Sequence, residues 1–255
     1  ILADPNWAVQ HVTDLSGDGK ADLVWRNGAT GQTAAWLMSG VSQTSNAILL
    51  GDPNWVVTNV GDFNGDGKSD LVWRNNSTGA TAIWLMNGLT TSSSGVIYTS
   101  TSWIVTHVGD FNGDGKDDLV WRNNSTGQTV IWLMNGLSAT STATVFTSVP
   151  WAVTNVGDFN GDGKDDLVWR NSSTGQIAIW LMNGSTPTSQ VIVLSDPSWT
   201  VTHVADTNGD GKADLVWRRV STGQTAIWLM NGTASTSTAT IMADPNWVVF
   251  PPASP

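Results

Sequence analysis

The nine residues Asp62-Phe63-Asn64-Gly65-Asp66-Gly67-Lys68-Ser69-Asp70 concentrate the oxygen donors of this chain. Carboxylates or amides stand at positions 1, 3, 5 and 9, with glycine at 4 and 6. On a tight, glycine-relaxed turn alternate side chains converge on one point, and the carbonyl of Lys68 at position 7 joins them. Six or seven hard oxygens suit Ca²⁺ at about 2.3–2.6 Å, whereas Mg²⁺ wants a stricter octahedron. The competing reading is a metal-free Asp/Gly-rich hairpin. Three carboxylates about 5 Å apart repel by roughly 3 kcal/mol per pair at an effective dielectric near 20, which favours the ion.

The loop occurs five times. Its donors are Asp14, Ser16, Asp18, Lys20 and Asp22; Asp62, Asn64, Asp66, Lys68 and Asp70; Asp110, Asn112, Asp114, Lys116 and Asp118; Asp158, Asn160, Asp162, Lys164 and Asp166; and Asp206, Asn208, Asp210, Lys212 and Asp214. The chain has 21 acidic residues, all of them Asp, and three per loop account for most of the total. Five bound Ca²⁺ would cancel the formal charge of −10. At a Kd of about 10⁻⁴ M and free Ca²⁺ of about 2 mM, each loop would add roughly 1.8 kcal/mol to folding stability. Position 12 is Trp73, not the Glu or Asp of an EF-hand loop, and a strand follows.

The elements that hold these loops repeat every 48 residues across the 255-residue chain. Within one unit, Trp55–Val60, Asp70–Arg74, Ala82–Met86 and a weak Val96–Tyr98 are strand-sized runs rich in Trp, Val and Ile. Asn75-Asn76-Ser77-Thr78-Gly79 and Asn87-Gly88 supply turn chemistry between them. The second and third runs are apolar on both faces, so each unit needs a neighbour on either side. Stacked radially, such units form an all-β, five-bladed propeller of four-stranded blades; an open β-solenoid is the alternative. The single domain is expected to cover residues 1–255, with repeats at about 4–51, 52–99, 100–147, 148–195 and 196–243 and a closing segment at 244–255. Ile1–Trp7 is echoed by Ile241–Trp247, so overlapping termini are expected to close the ring. The chain opens in mid-pattern without a signal peptide, which reads as a mature or trimmed piece.

Val60-Gly61-Asp62-Phe63-Asn64-Gly65-Asp66-Gly67-Lys68-Ser69-Asp70-Leu71-Val72 resembles the FG-GAP/VCBS-type repeat of integrin α-subunit propellers, bacterial secreted proteins and certain fungal propeller lectins. The resemblance implies a loop joining the first two strands of a blade and binding Ca²⁺ through positions 1, 3, 5, 7 and 9. It covers all five units. The departures are Ser16 at position 3, Leu15 and Thr207 in place of Phe, and a blade number below the seven of the integrin propeller.

Antiparallel blades place the loops on one face and the Asn-Ser-Thr-Gly turns on the other. That second face is expected to present Trp7, Trp55, Trp103, Trp151 and Trp199 near the amides Asn75, Asn76, Asn123 and Asn124. Aromatic planes beside amides can bind sugars; inter-blade core and turn formation are the competing roles. Arg26, Arg74, Arg122, Arg170 and Arg218 are expected to pair with an Asp or stack on a Trp. His11, His107 and His203 alternate with Asn59 and Asn155, which marks a polar surface position, not a catalytic base.

Composition narrows the function. A pI of about 4.4 argues against a nucleic-acid partner. No apolar stretch is long enough for a spanning helix, and the absence of Cys removes thiolate chemistry. Without Glu, an invariant His or any unit that differs from its siblings, catalysis has no asymmetric site. The expectation is a non-enzymatic, secreted, calcium-loaded binding module. Its partner is a glycan held at repeated sites between blades, or alternatively an extracellular protein.

Overall fold

The computed structural model describes residues 4–247. Among them are five four-stranded antiparallel sheets in a propeller arrangement, each with its strands in chain order. Blade one holds β1 (Trp7–Thr13), β2 (Asp22–Asn27), β3 (Thr33–Ser39) and β4 (Ser42–Leu50). Blade two holds β5 (Trp55–Gly61), β6 (Asp70–Asn75), β7 (Ala80–Asn87) and β8 (Thr90–Thr99). Blade three holds β9 (Trp103–Gly109), β10 (Asp118–Asn123), β11 (Gln128–Asn135) and β12 (Ser138–Thr147). Blade four holds β13 (Trp151–Gly157), β14 (Asp166–Asn171), β15 (Ile177–Asn183) and β16 (Thr186–Leu194). Blade five holds β17 (Trp199–Ala205), β18 (Asp214–Arg219), β19 (Gln224–Asn231) and β20 (Ala234–Ala243).

The first strands of successive blades touch one another, so they line the centre and the fourth strands form the rim. The fourth strands differ most from expectation. β8 runs over ten residues, not the three of Val96–Tyr98, and its first half is Thr-Thr-Ser-Ser-Ser. Its ladder to β7 is made by backbone groups, and an exposed outer edge has no need of apolar side chains.

The core lies between blades. Phe63, Val72 and Ile83 of blade two pack with Val105, Leu119, Trp121 and Met134 of blade three, and the other junctions repeat this arrangement. Loop position 2 is the anchor: Leu15, Phe63, Phe111 and Phe159 are fully buried. In each blade the Trp of strand two tilts against the Trp of strand three, as in Trp73–Trp84 with ring centroids 4.8 Å apart. Tyr98 at the end of β8 meets Trp121 edge-on at 5.5 Å, and Phe146 meets Trp169 at 5.6 Å, so one blade's rim strand plugs the next blade's Trp pair. An aromatic side chain buries about 150–250 Å², or roughly 4–6 kcal/mol of gross transfer free energy.

Hydrogen bonds stitch the loop face across the junctions. The N–H at loop position 8 donates to the position-1 carbonyl of the preceding loop in Ser69→Asp14, Asp117→Asp62, Asp165→Asp110 and Ala213→Asp158, each at 2.7 Å. Gly88, Gly136, Gly184 and Gly232, in the turns after the third strands, donate to the preceding position-2 carbonyls at 2.7–2.8 Å. The stem of each following lysine also lies over the preceding loop's first glycine, as Lys68 does over Gly17.

Among the described residues none of these stitches joins blade five to blade one. Val9 is 39% and Val12 61% exposed, whereas Val57, the counterpart of Val9, is 3% exposed. Trp25 is half-buried where its four counterparts are buried, and Met242 at the end of β20 is exposed. The expected overlap of the termini falls partly on residues 1–3 and 248–255, outside the described residues. Asp244 and Trp247, within the echoed segment, already accept hydrogen bonds from Arg218. No helix among the described residues is long and apolar enough to cross a membrane.

Candidate calcium loops and the opposite face

Each loop is wound by its own first aspartate. In blade two, Asp62 Oδ1 accepts from the N–H groups of Gly65 at 2.7 Å, Asp66 at 3.2 Å and Asn64 at 3.3 Å, and Oδ2 accepts from Gly67 at 2.7 Å. Asn64 Oδ1 accepts from the N–H of Asp66 at 2.9 Å, and Asp66 Oδ1 from that of Lys68 at 3.0 Å. These bonds close the turn only because Gly65 and Gly67 take φ of +75° and +77°, which other residues reach at a cost of about 1–2 kcal/mol. No hydrogen bond among the described residues ends on the Lys68 carbonyl.

Position 9, expected as a metal ligand, is a hinge-pin in the structure. Asp70 is fully buried; its Oδ2 accepts from the Phe63 N–H at 3.0 Å and its Oδ1 from the Met86 N–H at 2.8 Å. Asp22, Asp118, Asp166 and Asp214 hold the same two partners in their own blades. The carboxylate thereby fastens the loop's entry to the end of the third strand. Spacing alone assigned it a metal role and gave no sign of this one.

The electrostatics are those of a site short of positive charge. Burial pushes Asp70, Asp118 and Asp166 up to about 7 despite their amide partners, and the charges at loop positions 1 and 5 add to the rise. Asp117 and Asp165, at position 8, are pushed up to about 6 by burial. At Asp14 burial acts upward, but the amides of Gly19, Gly17, Ser16 and Asp18 outweigh it and lower the pKa. The lysines give little relief, since they pair at the exposed rim: Lys20–Asp18 at 2.6 Å, Lys68–Asp66 at 3.3 Å and Lys164–Asp162 at 4.0 Å.

The donor set therefore fits a hard divalent cation in chemistry: oxygen ligands only, an uncommitted carbonyl and ionisable groups that resist ionising without a counter-charge. Among the described residues no three acidic or histidine side chains gather at metal-binding range, and the first aspartate accepts from loop amides.

The opposite face differs from expectation. Asn75 and Asn123 are buried, and their side-chain oxygens cap the turns: Asn75 Oδ1 accepts from Ser77 and Thr78 N–H at 3.0 and 2.9 Å, and Asn123 Oδ1 from Ser125 and Thr126 at 3.0 and 3.1 Å. Asn76 and Asn124 are exposed. Trp7, Trp55, Trp103, Trp151 and Trp199 are half-buried. Trp55 and Asn75 are cross-strand partners, yet Trp55 and Asn76 line different hollows. Trp55 joins Trp73, Trp84, Ser94 and Val96 around about 250 Å³, with Leu50 of the preceding blade at its edge. Equivalent hollows lie at Trp151, Trp180, Gln190 and Phe146 (about 260 Å³) and at Trp199, Trp217, Trp228 and Thr238 (about 250 Å³). The buried indole N–H groups of Trp73 and Trp217 have no acceptor among the described residues.

The arginines neither stack on tryptophan nor pair with aspartate at bonding distance among the described residues. They donate across the junctions to backbone carbonyls, as in Arg26 Nη2→Pro53 O at 2.9 Å and Arg74 Nη2→Ser100 O at 2.6 Å. A guanidinium fork holding two strands of adjacent blades replaces the ion pair expected from proximity in sequence. The histidines are also more enclosed than expected of a surface position. Asn59 is buried, and His11 Nε2 lies 3.2 Å from Val57 O in the neighbouring blade. Burial lowers the pKa of His107.

Among solved structures, prolyl oligopeptidase B from Galerina marginata superposes on 94% of this chain with a TM-score of 0.61 at 12% identity; the match covers 36% of the oligopeptidase. The Photorhabdus luminescens Tc holotoxin pore gives 0.53 at 18% identity over 94% of this chain and 12% of its own. A calcium-binding regucalcin from Agrobacterium tumefaciens gives 0.50 at 10% identity over 90% of this chain and 73% of its own. The chain thus spans about a third of the oligopeptidase, and at these identities the likeness is one of fold. No curated protein matches it in sequence. The FG-GAP-like repeat matches at residues 14–73, 62–121, 110–169 and 158–217, each window running from one loop's first aspartate to the Trp of the next blade's second strand. The chain therefore belongs to the FG-GAP-like repeat family.

Proposed function

We propose that the chain is a calcium-stabilised, extracellular carbohydrate-binding propeller without catalytic activity, carrying several equivalent sites at its blade junctions. The observation that supports this is the recurrence of one hollow at blades two, four and five: three aromatic rings, a hydroxyl or amide side chain and a volume of about 250–260 Å³. Sugar C–H faces stack on indole, and hydroxyls find Ser94, Gln190 or Thr238. Each site is shallow, so useful affinity comes from several sites engaging one branched or repeating glycan. Calcium acts on the far face, tying the first two strands of every blade.

A glycan array read with and without chelator tests this reading, followed by titration of any hit. More than one ligand per chain, abolished when chelation unfolds the loops, is the expected result. Silence on every glycan would leave the second reading, a protein-binding adhesion module. The exposure of Val9, Val12 and Met242 in blades one and five, which breaks the equivalence of the blades among the described residues, favours that alternative.

A further inference from the structure

One hollow on the turn face is unlike the others. About 300 Å³ in size, it lies between blades two and three and is lined by Thr58, Arg74, Asn76, Thr81, Thr101 and Ile104. Arg74 donates from Nη1 to Gly79 O at 2.8 Å and Thr81 Oγ1 at 3.1 Å, and from Nη2 to Ser100 O at 2.6 Å. Its Nε–H and one Nη2 hydrogen have no partner among the described residues, and no carboxylate acts on its charge.

The first junction shows a counter-charge that this one lacks. The position of Ser100 is Asp52 at the first junction, Asp196 at the fourth and Asp244 after blade five. At the first junction Asp52 lies near enough to support the charge of Arg26. Ser148 also replaces the aspartate at the third junction, but Arg122 is buried there. It spends its Nη groups on Gly127 O, Thr129 Oγ1, Ser148 O and Val149 O. Among the described residues and the hollows named above, Arg74 combines a missing aspartate, spare donors and an adjoining cavity.

We propose that this hollow is a single anion-selective subsite that takes the carboxylate of an acidic sugar on Arg74. A guanidinium with two unspent N–H groups suits a carboxylate's two oxygens. The hydroxyls of Thr58, Thr81 and Thr101 and the amide of Asn76 complete a polar wall for the sugar ring. That the ligand is a sugar rests on the carbohydrate reading above; that it is an acid rests on Arg74 alone. One such site per chain also distinguishes it from the repeated aromatic hollows.

The test is a ¹H–¹⁵N titration of the calcium-loaded protein with glucuronic acid and, separately, glucose. The acid should shift the amides of Asn76, Gly79 and Thr101 at one equivalent, bind at least tenfold tighter than glucose there, and weaken as salt rises. Ser100→Asp restores the residue of the other junctions, and Ser100 Oγ already accepts the Ser102 N–H as Asp52 accepts that of Asn54, so the turn is preserved. This variant should lose the acid by tenfold or more while Ser100→Asn keeps it. Equal binding of both sugars at these amides, or acid affinity unchanged by Ser100→Asp or lost equally in Ser100→Asn, overturns the proposal. Glucose perturbing the tryptophan hollows with no acid shift at Asn76 would sink this subsite and spare the carbohydrate reading; a spectrum unmoved by either sugar would sink both.

Discussion

Asp70, Asp118 and Asp166 turn the calcium reading into a measurable pH dependence. Each is fully buried and holds its proton to about pH 7 in the metal-free fold, against 3.8 for an ordinary aspartate. Between those values the folded chain binds more protons than the unfolded chain, so metal-free stability should fall as pH rises. The loss is up to about 1.4 kcal/mol per pH unit and per group, and it levels off above about pH 7. Calcium reverses the sign, because its ligands must be ionised. Binding at pH 6 should expel about 0.9 proton from each of these loops, and affinity should rise about tenfold per loop between pH 6 and pH 8. At about 2 mM Ca²⁺ and a Kd near 10⁻⁴ M, five filled loops add about 9 kcal/mol, so chelation at pH 8 should lower the melting temperature sharply. Calorimetric titration in two buffers of different ionisation enthalpy counts the protons, and melting curves with and without chelator at pH 5, 6.5 and 8 give the stabilities. A melt indifferent to chelator at pH 8, or calcium binding at pH 6 without proton release, would refute the reasoning.

Other consequences concern the scaffold. If blades five and one stay apart in solution, Val9→Asp should cost less than about 1 kcal/mol in urea unfolding and Val57→Asp several, since one faces water and the other the interior; equal costs would mean that the ring is shut. Trp73→Ala should cost about 3–5 kcal/mol by removing a fully buried ring from the Trp73–Trp84 pair, measured the same way. Gly67→Ala should cost only the roughly 1–2 kcal/mol of its left-handed backbone, because nothing lies within 4 Å of the added methyl. Gly79→Ala should cost clearly more, because its Cβ would stand 2.6 Å from the Ser100 carbonyl, and a comparison of the two thermal midpoints checks the order.

Much of this architecture could be read from residue order. The 48-residue period, the runs headed by Trp55 and Asp70 and the antiparallel parity of the faces follow from local propensity and repetition, and the sheets match them. The long rim strands could not be read, because Thr90–Ser94 pairs through its backbone and carries no hydrophobic signal. The second duty of Asp70, the burial of Asn75 and the carbonyl partners of the arginines were equally silent, each depending on a group from another strand or blade.

Sequence alone determined the loops, because an Asp-x-Asn-x-Asp-Gly turn is a local structure whose donors are only two residues apart along the backbone. It also determined that the blades are alike. Only the tertiary structure decided where they stop being alike. Val9 and Val57 share a place in the repeat and differ in exposure, and Arg74 differs from Arg26 through a residue on the next blade. Burial and charge compensation are properties of what comes to lie alongside, and a periodic sequence does not specify its own ends.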